Sequence, residues 1–304
     1  MANRYKIMGP NRLLNVPTWS RPAAHAGLMM YTACRPRPLL AQRLAWLAVS
    51  VLGPKVLPGR SVPFESPVDG ETWMQLSQRW TTTIGPFTGA ALQLRRPADR
   101  TGSSLILLNE GSPTAFVKLR PDDGETLAVE KSVLDALERR PPQSFEVARV
   151  LDAGTVGDWH FLAMSPLPVR IHTVPPKPDL AAIADEISHL LADDWGERPA
   201  GIPETWVPIH GDFTPWNLRA SGGHTVLFDW EQATWAPPTS DLVWWDTSVK
   251  VLDLPVTRSG VEHTEEAKRY WVDRLGGEVA AEARDLRGFV LRDLSAQLAH
   301  QATT

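Results

Sequence analysis

The chain has 304 residues, a formal net charge of −4, 43% hydrophobic and 22% charged residues, and a single cysteine, Cys34. It is long enough for two lobes, and its composition is that of a globular protein. One cysteine excludes an internal disulfide framework and a cysteine metal cluster and fits a cytoplasmic setting, and no apolar run is long enough to cross a bilayer.

Nine of the 31 Lys and Arg residues, but none of the 35 Asp and Glu, fall in residues 1–64. Such a segment meets either an anionic surface or an acidic protein body. Met1 to Pro38 is rich in Pro, Arg and small residues, shows no sustained period and reads as an irregular arm. Leu39 to Leu52 is a helix candidate, with Leu40, Leu44, Leu47 and Val51 spaced for one face. A second short helix is expected over Glu71 to Trp80.

Strand signals follow at Ala91 to Leu94, Ser104 to Leu108 and Ala115 to Leu119. The turn Glu110-Gly111-Ser112-Pro113 makes the last two an antiparallel hairpin. Glu125 to Arg139 reads as a helix stopped by Pro141 and Pro142, and Val147 to Leu151 and Trp159 to Met164 as two further strands. Ser165-Pro166-Leu167-Pro168 is a rigid connection and the natural lobe boundary. Beyond it the pattern is mainly helical, over Asp179 to Leu191, Glu262 to Leu275 and Ala280 to His300, around a loop-rich stretch from Val207 to Trp245.

The chemistry concentrates in that stretch. An apolar run leads into His210-Gly211-Asp212, and Asn217 follows five residues after Asp212. A second apolar run, Thr225-Val226-Leu227-Phe228, delivers Asp229-Trp230-Glu231. One carboxylate to take a hydroxyl proton, with an amide and a second carboxylate to hold magnesium, is the inventory of phosphoryl transfer. Each residue also has a plainer use: Asp212 and Asn217 suit a turn, and Asp229 suits a helix cap.

His210-Gly211-Asp212 to Asn217, followed by Asp229-Trp230-Glu231, resembles the catalytic and metal-binding motifs of the aminoglycoside-phosphotransferase-like small-molecule kinases. The resemblance implies an α+β, bilobal protein-kinase-like fold: a basic extension over 1–80, a small antiparallel-sheet lobe with one key helix over 81–166, and a mainly helical lobe over 167–304. It makes Asp212 the catalytic base, His210 the brace of its loop, and Asp241 the aspartate that supports the loop from below. Asn217 and Asp229 become Mg²⁺ ligands. Lys118 becomes the strand lysine that contacts the nucleotide phosphates, and Glu130 its helix partner. The hinge Met164 to Leu167, with Ser165 and Leu167, becomes the backbone contact to the base of ATP or GTP.

Taken alone, Lys118 suits a solvated strand edge and Glu130 a water-facing helix side. The loop over the phosphates has two candidates, Ile84 to Gly89 and Arg100 to Ser104. The expected acceptor is a hydroxyl of a sugar, an aminoglycoside-like compound or a related polyol or amino alcohol, with Trp235, Trp244 and Trp245 as either an aromatic wall or core. The competing reading is a pseudokinase or binding module with the same fold. A membrane surface is open to the basic segment, but the expected place for the Leu39–Leu52 helix is against the sheet lobe, and nucleic acid is disfavoured because the basic residues lack an interleaved aromatic stacking pattern.

Overall fold

In the computed structural model the described residues are 5–8, 14–30, 33–94, 102–121 and 124–301. The chain divides into two units, one formed by 1–131 with 148–173, the other by 132–147 with 174–304.

The first unit is built on an eight-stranded sheet. Its strands are β1 (Tyr5–Met8), β2 (Leu14–Pro17), β3 (Ser61–Val62), β4 (Gly89–Leu94), β5 (Ser103–Asn109), β6 (Ser112–Arg120), β7 (Val150–Val156) and β8 (Trp159–Met164), in the spatial order β3-β1-β2-β4-β5-β6-β8-β7. Every neighbouring pair is antiparallel. The expected β5–β6 hairpin forms, with Leu105 opposite Val117.

Side chains alternate across this sheet with the period of two that a strand imposes. Leu92, Leu105, Leu107, Val117 and Leu119 meet Leu76 and Trp80 of α3 (Gly70–Thr83) on one face. On the other, Ala91, Ile106 and Leu108 meet Ala23 and Ala26 of α1 (Arg21–Met29). Asp69 caps α3 by accepting from the Glu71 and Thr72 N–H groups, and Arg79 ties the helix to β7 through a two-pronged bond to Asp152.

The reading of the first residues as an irregular arm is corrected by β1, β2 and α1. Four-residue strands are too short to show a period, yet Leu14 and Val16 are buried against Ala24, Leu28, Val49 and Leu57, Tyr5 packs on Trp19 and Phe64, and β2 adds onto β4 with Asn15 opposite Leu92. Helix α2 (Pro36–Leu52) forms where the spacing placed it, and the sheet is larger than the small one expected.

Helix α4 (Gly124–Arg139) opens in the first unit and closes in the second. The second unit then holds α5 (Leu180–Asp194), strands β9 (Val207–Ile209), β10 (Leu218–Ser221), β11 (His224–Leu227) and β12 (Thr234–Ala236), and helices α6 (Ser240–Val251), α7 (Glu265–Glu278) and α8 (Leu286–Gln301). Strands β9 and β12 pair antiparallel, as do β10 and β11. Helix α7 begins at Glu265 rather than Glu262 because the Thr264 side chain caps it, accepting from the Ala267 N–H. Ile209, Val243, Trp244, Trp271, Val290 and Leu294 form the core that α6, α7 and α8 share with β9. Helix α6 escapes sequence reading because ten of its residues, Ser240 to Val249, are buried all round, so no amphipathic stripe marks it.

Candidate active site

Asp212 lies on the turn that leaves β9. Its two carboxylate oxygens have separate donors: Trp244 Nε1 donates to Oδ1 at 3.0 Å and Asn217 Nδ2 to Oδ2 at 3.0 Å. The same Asn217 amide donates to the Asp212 carbonyl at 2.9 Å, so one side chain fixes both the backbone and the head of the aspartate. Asp212 is half-buried, whereas Asn217 is 2% exposed.

The turn is held from beneath by Asp241, in the first turn of α6. Its Oδ2 accepts the His210 N–H at 2.7 Å and its Oδ1 the Gly211 N–H at 3.0 Å. Burial pushes the Asp241 carboxyl from its ordinary 3.8 up to about 7; the two backbone donors oppose the rise and the charge of Asp212 adds to it. Gly211 admits no other residue. Its φ is +77°, and a Cβ there would stand 1.9 Å from the Gln232 carbonyl oxygen. The His210 ring lies 4.4 Å from that of Trp230, its Nδ1 accepts the Asp212 N–H at 3.2 Å, and its Nε2 lies 3.3 Å from the Phe228 carbonyl. The tautomer protonated on Nε2 satisfies both contacts.

Asn217 and Asp229 come together because β10 and β11 are a hairpin. Leu218 pairs with Leu227, and one step further the Phe228 N–H donates to the Asn217 carbonyl at 3.2 Å. The open end of the hairpin therefore carries Asn217 on one arm and Asp229 on the other. Asp229 has φ +72°, a left-handed conformation in which aspartate is among the more tolerated residues. Strain of this kind collects at functional positions.

In the first unit, Lys118 is not an edge residue. Strand β6 runs between β5 and β8, with Ser104 and Leu162 as the partners of Lys118. Val117 and Leu119 face the α3 core, so Lys118 points to the opposite face, where its Nζ meets Glu130 Oε2 of α4 at 2.6 Å. Lys118 is 4% and Glu130 1% exposed. A buried pair of this kind is weak evidence of stability, because desolvation offsets most of the attraction.

After β8, the Ser165 N–H donates to the Arg149 carbonyl at 2.8 Å, and Ser165 Oγ accepts the Arg149 N–H at 2.9 Å. Leu167 follows in irregular chain and is half-buried. The register separates the two loop candidates. Leu94 pairs with Ser103, and Ser104 with Lys118, so Leu94 and Ser103 stand at the lysine's end of the sheet. Ile84 to Gly89 enters β4 at the other end. Of the β4–β5 connection, Arg100 and Thr101 lie outside the described residues, while Gly102 has φ +129° and a Cβ there would meet the Leu119 carbonyl at 2.3 Å.

The aromatic wall does not materialise: Trp235, Trp244 and Trp245 are all core, at 8%, 3% and 0% exposure. Trp245 donates to the Thr257 carbonyl, and Trp235 lies under the guanidinium of Arg198. What sequence reading missed is the indole N–H of Trp244 on Asp212. No local signal could have found it, since the two are brought together only by the placement of α6.

Residues 176–246 match the model of the Phosphotransferase enzyme family (APH). No curated protein matches the chain. Among solved structures, a protein assigned as a fructosamine-3-kinase from Haemophilus somnus 129PT has a TM-score of 0.50 at 13% identity, over 75% of this chain and 98% of that one. Amicoumacin kinase hAmiN, in complex with AMP-PNP, Ca²⁺ and Ami, has a TM-score of 0.47 at 12% identity, over 77% and 92%. The aminoglycoside phosphotransferase APH(4)-Ia with ADP and hygromycin B has a TM-score of 0.42 at 12% identity, over 75% and 93%. At 13% identity the likeness to the first of these is one of fold.

Proposed function

From a catalytic segment that matches the phosphotransferase enzyme family, set in a fold that resembles the small-molecule kinases, we propose that this chain transfers the γ-phosphate of ATP or GTP to a hydroxyl of a small molecule. The observation that carries this reading is the holding of Asp212. A carboxylate fixed at both oxygens, on a turn whose backbone is braced by Asp241, is oriented before any acceptor arrives.

In the proposed reaction the acceptor O–H proton passes to Asp212. The acceptor oxygen bonds to the γ-phosphorus, and the bond from that phosphorus to the oxygen bridging the β-phosphate breaks, leaving the nucleoside diphosphate. Lys118, oriented by Glu130, is assigned to the α- and β-phosphates. Asn217 turns its Nδ2 to Asp212, so its Oδ1 is the atom we assign to a cation, together with the Asp229 carboxylate. An amide oxygen and a carboxylate form a hard donor set that fits Mg²⁺ rather than a soft metal. When bound, Mg²⁺ supplies charge neutralisation on the phosphates. Ser165, tied to Arg149 through both its N–H and its hydroxyl, anchors the hinge, and Leu167 is assigned to the nucleotide base. The acceptor class we propose is a sugar, amino sugar or related polyol.

The test is nucleotide consumption with Mg²⁺ across sugars, amino sugars, aminoglycosides and amino alcohols, with Asp212→Asn as control. Acceptor-dependent consumption that falls at least about 1000-fold in the control, with nucleotide binding retained, is the expected result. Near-normal turnover by Asp212→Asn removes the base assignment. Nucleotide binding without consumption of any acceptor moves the chain to the pseudokinase reading.

A further inference from the structure

Helix α2 presents its apolar residues outward. Leu40, Leu44, Leu47 and Val51 are 57%, 58%, 58% and 63% exposed, and Leu52 and Val56, just after them in the chain, are exposed as well. At 100° per residue the first four fall within an arc of about 60°. The opposite side of the helix faces the protein through Gln42, Ala45 and Val49: Val49 joins Leu14, Val16, Ala24, Leu28 and Leu57, and the Gln42 amide donates to the Leu28 carbonyl at 2.8 Å. His25 of α1 stacks on Trp46 at 3.8 Å. The helix is therefore docked on the body, as expected, yet its larger apolar side chains are left uncovered. Six of the nine exposed large apolar side chains recorded among the described residues lie between Leu40 and Val56, so this is a patch rather than scatter.

The charge around the patch has one sign. Arg37 and Arg43 flank the stripe on either side, Arg35 precedes the helix and Lys55 follows it, all exposed. Arg21 of α1 reaches the end of α2, donating to the Val51 carbonyl. No Asp or Glu occurs in residues 1–64. A second copy of the helix would bring arginine against arginine with no acid to answer it. A surface that is negative outside and apolar beneath suits both features at once.

We propose that α2 docks this protein onto an anionic lipid surface, lying in the membrane plane with Leu40, Leu44, Leu47 and Val51 among the acyl chains and Arg37, Arg43 and Lys55 among the headgroups. No described helix is long and apolar enough to cross a membrane, so α2 rests on the bilayer rather than spanning it. This docking does not depend on the phosphotransfer reading and needs no turnover to be seen.

The full chain is sedimented with vesicles of phosphatidylcholine containing about 30% phosphatidylserine, and with phosphatidylcholine alone, at low and high salt. The expected result is binding to the anionic vesicles that weakens with salt and falls about tenfold in Leu44→Asp/Leu47→Asp, with a smaller loss in Arg37→Gln/Arg43→Gln. Because these side chains are exposed, unchanged melting of both variants separates lost binding from lost folding. The proposal is overturned if the wild-type chain stays in the supernatant, or if Leu44→Asp/Leu47→Asp pellets equally. It is also overturned if sedimentation velocity without lipid shows a dimer that Leu44→Asp/Leu47→Asp dissociates, which would make a second copy the occupant of this face.

Discussion

Two uncharged donors hold Asp212, the Asn217 amide and the Trp244 indole, and they differ in what else they do. Asn217 also fixes the Asp212 backbone, so its replacement disturbs the loop. Trp244 stacks on Trp271 at 4.5 Å and contributes one N–H to the site. Trp244→Phe keeps an aromatic ring in that stack and removes the donor. It is expected to lower kcat about tenfold, equivalent to about 1.4 kcal/mol, with the nucleotide KM nearly unchanged; steady-state kinetics on the first acceptor found checks it. At this scale the sequence is legible where chemistry demands fixed spacing, as from His210 through Asp212 to Asn217. It is illegible where a partner arrives through tertiary placement, as Trp244 does from 32 residues away.

Helix α6 and the turn it supports behave as one element, joined by Asp241. Burial raises this carboxyl to about 7 in the folded chain, so folding takes up a proton there between about pH 4 and pH 7. The folded state binds more protons than the unfolded one in that window. The stability gained from protonation is therefore complete below the ordinary pKa and is lost as pH rises through about 7. Asp241→Asn does not titrate, so the melting advantage of wild type over this variant is expected to shrink from pH 4 to pH 7, as thermal melts across that range will show. An advantage that grows with pH would mean that the two backbone donors outweigh burial. Helix α6 itself was invisible because burial on all sides leaves no stripe, and α2 shows a different limit. Spacing shows that Leu40, Leu44, Leu47 and Val51 share a face, but not whether that face looks inward. Here Ala45, Val49 and one amide bond from Gln42 suffice on the inner side.

Across the whole molecule, basic residues without a single acid gather in the first 64 residues, the same segment that supplies β1, β2, α1 and α2. That segment is part of the sheet rather than an appendage. Strand β2 covers the outer side of β4, and α1 covers Ala91, Ile106 and Leu108. A chain beginning at Ser61 loses both and bares the β4 backbone, a template for other chains. It is expected to self-associate in light scattering, while Leu44→Asp/Leu47→Asp in the full chain remains monodisperse; a monomeric trimmed chain that melts like wild type would make the arm dispensable. The same pairing sets an order in time. Strand β2 leaves the ribosome about 80 residues ahead of the strand it must join, a wait of roughly 4–16 s at ordinary synthesis rates. Through that interval Ala23 and Ala26 have no Ala91, Ile106 or Leu108 to pack against, so the earliest hazard in the life of this chain is fixed by the sequence of its manufacture rather than by the strength of its finished core.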